Sequence, residues 1–428
     1  MIPLILRFFL GLTLLAQNAL ALTPAARTLI DHETKANAVA LRGNEAIDIP
    51  HFNIPLELVD TDFAARFSEE YRKHFIFERH GKKFIRWILN PEDTKWGEEV
   101  AVYFVKEHNI KLERKFYFKG YKTASRSYIV EDPQKKIQFS VKSSTNNTGG
   151  QWADKKQPVG EAIDSRLNAD ILYEIQQKRP FEHAIVMDEP AILKLPAIDQ
   201  AVVIRDLSGL NDAKSGMIYL PGFAVLHETA GALIAKANGS NNPYSFWTTH
   251  YIKAVARAMG EFGARTGMQF DSPHSQNFLV ELDANYRPTG RIVLRDLADF
   301  FVNKRIMRAL HSNAKYYFAN FTQTENVRDN ILAGFGPLHG NHPPSWISAG
   351  QYVEWKNVYF KEFEKTFSRI SGLPVEAFKT KASEMSGRYF GNSYTLKAED
   401  AAVNKYLNDL GRYQSPDGIL YCPLVLAL

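Results

Sequence analysis

The residues with the most chemical potential are Asp271-Ser272-Pro273-His274-Ser275-Gln276-Asn277. They run into an apolar stretch, Phe278 to Leu282, and a second such stretch follows at Arg291-Ile292-Val293-Leu294-Arg295-Asp296. Between them lies a polar segment with Gly and Pro, Asp283 to Gly290, so the pattern predicts an antiparallel hairpin. Placing Phe278 near Arg295 sets Asn277 opposite Asp296 at the open end. Directly opposed residues lie about 5 Å apart. An amide oxygen and a carboxylate at that spacing, with His274 just upstream, are suited to Mg²⁺ and the phosphates it carries. The same residues also fit a plain surface hairpin with a polar loop.

A second polar cluster is Thr123-Ala124-Ser125-Arg126-Ser127, followed by Lys142 and the run Ser143 to Gly150. Arg126 begins one predicted strand and Lys142 ends another, so a hairpin would put both at one end. Arg offers bidentate contact to a phosphate and Lys a point charge. An exposed hairpin end with solvated charges reads equally well.

The elements that must position these groups follow from periodicity. Lys115 to Lys119, Ser127 to Val130 and Ala201 to Arg205 read as strands, and Ile137 to Lys142 alternates with period two. Ile163, Leu167, Ile171 and Ile175 mark a helix from about Gly160 to Lys178, between Pro158 and Pro180. Further helices are expected at Ala64 to His74, Trp96 to Val105 and Thr249 to Phe262. Met1 to Ala21 carries one cation, Arg7, then an apolar core and a small-x-small ending, the form of a secretory signal peptide. Export, periplasmic or secreted, is therefore expected; without that signal the chain would be cytoplasmic. No later stretch is long and apolar enough for a membrane helix. Four regions result: 1–21, the signal; 22–115, mixed and helical; 116–235, rich in sheet; and 236–428, the hairpin followed mostly by helices.

Composition narrows the function classes. With 45% hydrophobic and 12% aromatic residues the chain can build large cores. A net charge of +5 is too mild to argue for nucleic acid and fits a small anionic ligand. The single cysteine, Cys422, excludes an intrachain disulfide and a Cys-based metal cluster. There is no P-loop, no Rossmann glycine fingerprint, no nucleophile elbow and no His-Glu-x-x-His helix. His339 and His342 sit in a loop before Pro343 and Pro344 and read as solvated.

Four places in order resemble the NRPS-independent siderophore synthetases, the IucA/IucC family. Ala124-Ser125-Arg126-Ser127 is similar to the family's Ser-x-Arg-Thr nucleotide loop, with Lys142 on the next strand like its phosphate lysine. Ala201 to Asp206 resembles its Val-x-x-Arg-Glu strand. Asp271 through Asn277 resembles its acidic-x-His-x-Gln-Asn motif, and Val293 to Asp296 its Arg-Asp strand. Departures are Ala124 for the first Ser, Ser127 for Thr, an extra residue at Pro273, and no arginine soon after Lys142, for which Arg166 is the stand-in.

The resemblance implies an α+β fold of thumb, fingers and distantly kinase-like palm, with 22–115 thumb-like, 116–235 fingers-like and 236–428 palm-like. It implies ATP and Mg²⁺ as cofactors. Ser125, Arg126, Ser127, Lys142, His274, Gln276 and Asn277 would bind the nucleotide. Asn277, Asp296 and Asp271 would hold the metal, and His274, Lys142 and Arg126 would act in catalysis. A carboxylate would attack the α-phosphate to give an acyl-adenylate, and an amine or alcohol would then displace AMP. Two alternatives stand beside this ligase: an exported, non-catalytic relative that binds a polycarboxylate or siderophore, and a kinase-like phosphotransferase.

Overall fold

The computed structural model describes residues 27, 45–123, 126–134, 137–148, 154–207, 217–270, 274–298, 300–310, 322–324, 326–332, 343–377, 384–385 and 388–412. The signal segment, Ser125, Asp271, His339 and Cys422 lie outside them. The fold is mixed α+β, built around a curled antiparallel sheet of nine strands.

That sheet contains β1 (Ile47–Pro55), β2 (Asp60–Phe63), β3 (Ile76–Arg79), β4 (Lys82–Ile88), β5 (Lys115–Lys122), β6 (Ser127–Glu131), β7 (Gln138–Ser143), β9 (Ala191–Leu195) and β10 (Gln200–Asp206). Its order is β2-β9-β10-β7-β6-β5-β1-β4-β3. The region up to residue 115 therefore holds more strand than the helical patterns suggested, and β1 pairs with β5 straight across that point. The expected helices there are α1 (Glu69–Phe75), capped by the Ser68 side chain, and α2 (Trp96–His108), ended by Asn109 in the left-handed region.

The alternation along β7 sorts its residues between two faces. Phe139 and Val141 join one core with Val202 and Ile204 of β10. Ser140 and Lys142 face the other way, and all six residues of the strand are buried. A second layer of structure, not solvent, covers the polar face. Helix α3 (Val159–Lys178) forms part of that layer. Ala162 packs with Ile192, Ala201 and Val203 of the nine-stranded sheet, while Leu167, Ile171 and Leu172 enter the large core of the second half. Contact on both sides explains why a helix expected to show one apolar stripe also buries Ser165, Arg166 and Asn168.

The second sheet has four strands in the order β11-β13-β14-β8. Here β8 is Ala184–Val186, β11 is Ile218–Pro221, β13 is Phe278–Leu282 and β14 is Pro288–Leu294, while β12 (Met268–Phe270) belongs to a separate three-stranded sheet. The pairing β13–β14 is the predicted hairpin; β8 adds to β14 in parallel. The helix expected near Thr249 is present as a π-helical turn, Thr248–Ile252, that continues into α5 (Lys253–Thr266). A long helix, α6 (Ala349–Ser371), starts with a Ser348/Gln351 capping box and packs along α5. The C-terminal part also contains strands, Asn326–Leu332 and Arg388–Thr395 among them, that the helical expectation missed. No described helix is long and apolar enough to cross a membrane.

The short helix α4 (Gly222–Val225) begins at a glycine pressed against the loop before β13. A Cβ on Gly222 would meet the Tyr251 hydroxyl and lie 2.7 Å from the Ser275 carbonyl oxygen. Gly222→Ala should cost roughly 1–3 kcal/mol by overpacking. Urea unfolding checks this; an unchanged midpoint would show that the loop yields freely.

His51 on β1 is 2% exposed. Burial, with Arg86 and Lys115 adding to it, lowers its pKa from 6.5 to about 4. Between these values the unfolded chain takes up a proton that the native ring refuses, so this group's contribution falls as pH drops from about 6.5 to about 4. His51→Asn should flatten the stability–pH slope over that window by up to one proton. A slope identical to wild type would contradict this.

Candidate functional site

The cationic half of the site is set by register in the nine-stranded sheet. Ser127 of β6 is opposite Lys142 of β7, which is opposite Val203 of β10, and Ser140 is opposite Arg205. Partners across an antiparallel pair share a face, so Ser127, Lys142 and Arg205 point the same way. Arg126 precedes β6, and it and Lys142 do lie at the same hairpin end. Arg126 donates to Glu161 at 3.3 Å and to the Lys156 carbonyl. The chain beyond Lys142 returns through a two-residue bridge, Thr145 with Lys155, and that brings Lys155 to the same place.

The acidic half comes from the hairpin, one residue out of the expected register. Phe278 pairs with Leu294, not Arg295. Asn277 is therefore opposite Arg295, whose N–H donates to the Asn277 carbonyl at 3.1 Å. The ladder stops there because Asp296 turns into the left-handed region, φ 71°. A non-glycine residue there costs of order 1 kcal/mol and persists only where its surroundings fix it. Asn277 N–H donates to the His274 carbonyl at 2.8 Å, and Arg295 Nε donates to the Gln276 carbonyl at 2.8 Å. These bonds tie the 274–277 turn to the strand end.

The two halves meet at Asp296. Lys142 Nζ lies 2.5 Å from Asp296 Oδ1, and Arg205 Nη2 lies 3.2 Å from the same oxygen. About 35% of the Asp296 side chain remains open, toward the cavity. Burial alone would push this carboxyl up; Lys142 and Arg205, with Arg126 behind them, outweigh it and hold Asp296 well below the usual carboxylate range. Burial also lowers Arg126, and it lowers Lys155, with Arg126 and Lys142 adding to the effect. His274 falls to about 4, chiefly by burial, so its ring is neutral at neutral pH. Its Nδ1 accepts from the Gln276 N–H at 3.3 Å, which leaves the proton on Nε2 as a donor.

A cavity of about 70 Å³ opens between the sheets, lined by Arg126, Ser127, Lys142, Lys155, Arg205, His274, Gln276, Asn277, Arg295 and Asp296. It has room for several waters or a group of phosphate size. Arg126, Ser127, Lys142, His274, Gln276, Asn277 and Asp296 were singled out from sequence and are brought together here. Ser125 and Asp271 fall outside the described residues. Arg166 is not in the lining: it is buried on α3, 2.5 Å from Asp170 and 3.4 Å from Asp62. The extra cation after Lys142 is Lys155. Lys155, Arg205 and Arg295 had no assigned role; Arg205 and Arg295 at least stood at the ends of strands already noted. Lys155 carried no local signal.

Asn277 and Asp296 both border the cavity, but no group of three His, Cys, Asp or Glu side chains suited to a metal occurs among the described residues. One carboxylate and one amide fit a divalent cation that arrives with phosphates and water, the usual manner for Mg²⁺, better than a metal held by protein alone.

No family model matches the chain, and no curated protein matches it. Solved structures do. One is the aerobactin synthetase IucC from a hypervirulent pathotype of Klebsiella pneumoniae, with TM-score 0.51, 11% identity, 78% of this chain covered and 63% of that one. Another is ATP-bound aerobactin synthetase IucA from the same pathotype, with TM-score 0.50, 12% identity, 85% of this chain covered and 68% of that one. The chain thus spans about two thirds of their length. At such identity the likeness is one of fold: this chain has the fold of the NRPS-independent siderophore synthetases.

Proposed function

We propose that the chain is an ATP- and Mg²⁺-dependent carboxylate ligase of siderophore-synthetase type, with the triphosphate held between the two sheets. The observation that carries this reading is the convergence of Arg126, Lys142, Lys155 and Arg205 with the His274–Asn277 turn and Asp296 on one cavity. It gains support from a fold shared with a synthetase solved with ATP bound. In this reading the nine-stranded region acts as fingers and the hairpin region as a distantly kinase-like palm.

The proposed reaction has two steps. A carboxylate oxygen attacks the α-phosphorus of ATP, and the bond to pyrophosphate breaks with its electrons leaving on pyrophosphate. An amine or alcohol then attacks the acyl carbon, loses its proton to solvent, and AMP departs. Arg126, Lys142 and Arg205 hold phosphate oxygens and neutralise charge that grows on them. Ser127 and the Nε2–H of neutral His274 donate without adding charge. Asn277 and Asp296, with Asp271 as a further candidate, would hold Mg²⁺, which supplies charge neutralisation at the phosphates when bound.

Because Lys142 and Arg205 already pair with Asp296, anion and metal should bind together. Mg²⁺ alone should leave the melting temperature unchanged. ATP should raise it, and Mg²⁺ with ATP should raise it further, by the equivalent of about 2.7 kcal/mol at a hundred times Kd. No saturable shift at millimolar Mg·ATP would overturn the nucleotide reading.

Two substitutions separate the roles. Lys142→Ala should weaken ATP at least tenfold, about 1.4 kcal/mol. Asp296→Asn suits the left-handed backbone and releases both cations, so it should bind metal-free ATP at least as well as wild type yet lose the Mg²⁺ enhancement. Equal Mg²⁺ dependence in Asp296→Asn and wild type would remove Asp296 from the metal site.

The excess of cations over carboxylates in the lining also favours a second reading, capture of a polycarboxylate without chemistry. Citrate serves as the probe. A citrate-dependent release of pyrophosphate from ATP supports the ligase; tight citrate binding with no release of pyrophosphate or ADP supports the binding protein.

A further inference from the structure

The two sheets that form the cavity are joined by a short connection, residues 187–190, between β8 and β9. Both of its carboxylates are clamped, to different partners. Asp188 takes a bidentate contact from Arg66, at 2.6 and 2.8 Å. Glu189 is 1% exposed and accepts from Arg205 Nε at 2.5 Å. It also accepts from the Ser165 hydroxyl of α3. Three residues further along α3, the Asn168 side chain donates to the Leu297 carbonyl at 2.7 Å, just past Asp296.

A guanidinium is a rigid plane with donors in fixed directions. With Nε fixed on Glu189, the two remaining nitrogens are aimed: Nη1 at the Ser127 hydroxyl, 3.3 Å, and Nη2 at Asp296, 3.2 Å. Arg205 sits on β10 with its side chain 5% exposed. An unclamped guanidinium there could turn and pair with Asp296 through two nitrogens, which would close the anion site.

We propose that Glu189 is a positioning residue. Its carboxylate, set by Ser165 from α3, orients Arg205 so that Nη1 and Nη2 direct their in-plane N–H groups to the place where an anion would enter between Ser127 and Asp296. The connection between the sheets is thereby tied to the phosphate-binding face. This rests on the phosphate reading of the cavity for its consequence, though not for the orientation itself.

The test uses the full chain, ¹⁵N-labelled, with inorganic tripolyphosphate as the probe. The Arg205 Nε–H resonance is assigned by its loss in Arg205→Lys. Glu189→Gln should move that resonance and speed its exchange with water, while Asp188→Asn should leave it in place. Glu189→Gln should weaken tripolyphosphate at least tenfold, whereas Asp188→Asn should change its affinity less than twofold even where it lowers the melting temperature. In an Arg205→Ala background, Glu189→Gln should add less than twofold, since the residue it acts through is gone. Where Glu189→Gln does not fold, Ser165→Ala should produce the same changes at smaller size. An unmoved Arg205 resonance, or an equal loss with and without Arg205, overturns the proposal. If wild type ignores tripolyphosphate, the phosphate reading fails, and the resonance alone decides whether Glu189 orients Arg205.

Discussion

One carboxylate holds the two sheets in their working relation. Asp296 ends the hairpin of the four-stranded sheet and receives Lys142 and Arg205 from the nine-stranded sheet. Lys142 is 7% exposed and Arg205 4%. Cations so deeply set are costly without a counter-charge, and Asp296, reaching across, supplies one to Lys142 and a second one to Arg205 beside Glu189. The left-handed backbone at Asp296 is the local cost of that reach, and the bonds around His274, Gln276 and Asn277 hold the strand end in place against it.

The same arrangement decides what the cavity can accept. Three of its basic side chains have carboxylate partners within the protein: Glu161 for Arg126, Glu189 and Asp296 for Arg205, Asp296 for Lys142. Of these partners only Asp296 itself borders the cavity. An entering anion therefore competes with one protein carboxylate for Lys142 and Arg205. A neutral ligand has no such exchange to offer. The neutral His274 keeps the turn from adding another charge to the balance.

Much of this was legible in the residues, and the limits have physical causes. The hairpin, the strands around Arg126 and Lys142, and the helix between Pro158 and Pro180 follow from local periodicity, which the structure keeps. The register differs by one because Arg291 to Asp296 reads as one uniform run, and nothing in it announces that the backbone leaves the ladder after Arg295. The strands of the first hundred residues were obscured by helical patterns at Glu69–Phe75 and Trp96–His108 that are real but short. Lys155 and Glu189 were invisible for another reason. Each owes its place to irregular backbone rather than to a periodic element, Lys155 to an isolated bridge that closes a loop and Glu189 to a connection between sheets. Local pattern does not encode such meetings.

The parallel pairing of β8 with β14 sets the order in which the chain can assemble. The hairpin β13–β14 closes over a few residues, but Ile292 must find Ala184. Lys142 must likewise wait for Asp296, 154 positions away. Loops of that length close late and slowly compared with local turns. The cavity thus rests on contacts of long sequence separation, and a change that loosens the approach of the two sheets would be felt there while the local hairpins and helices persist.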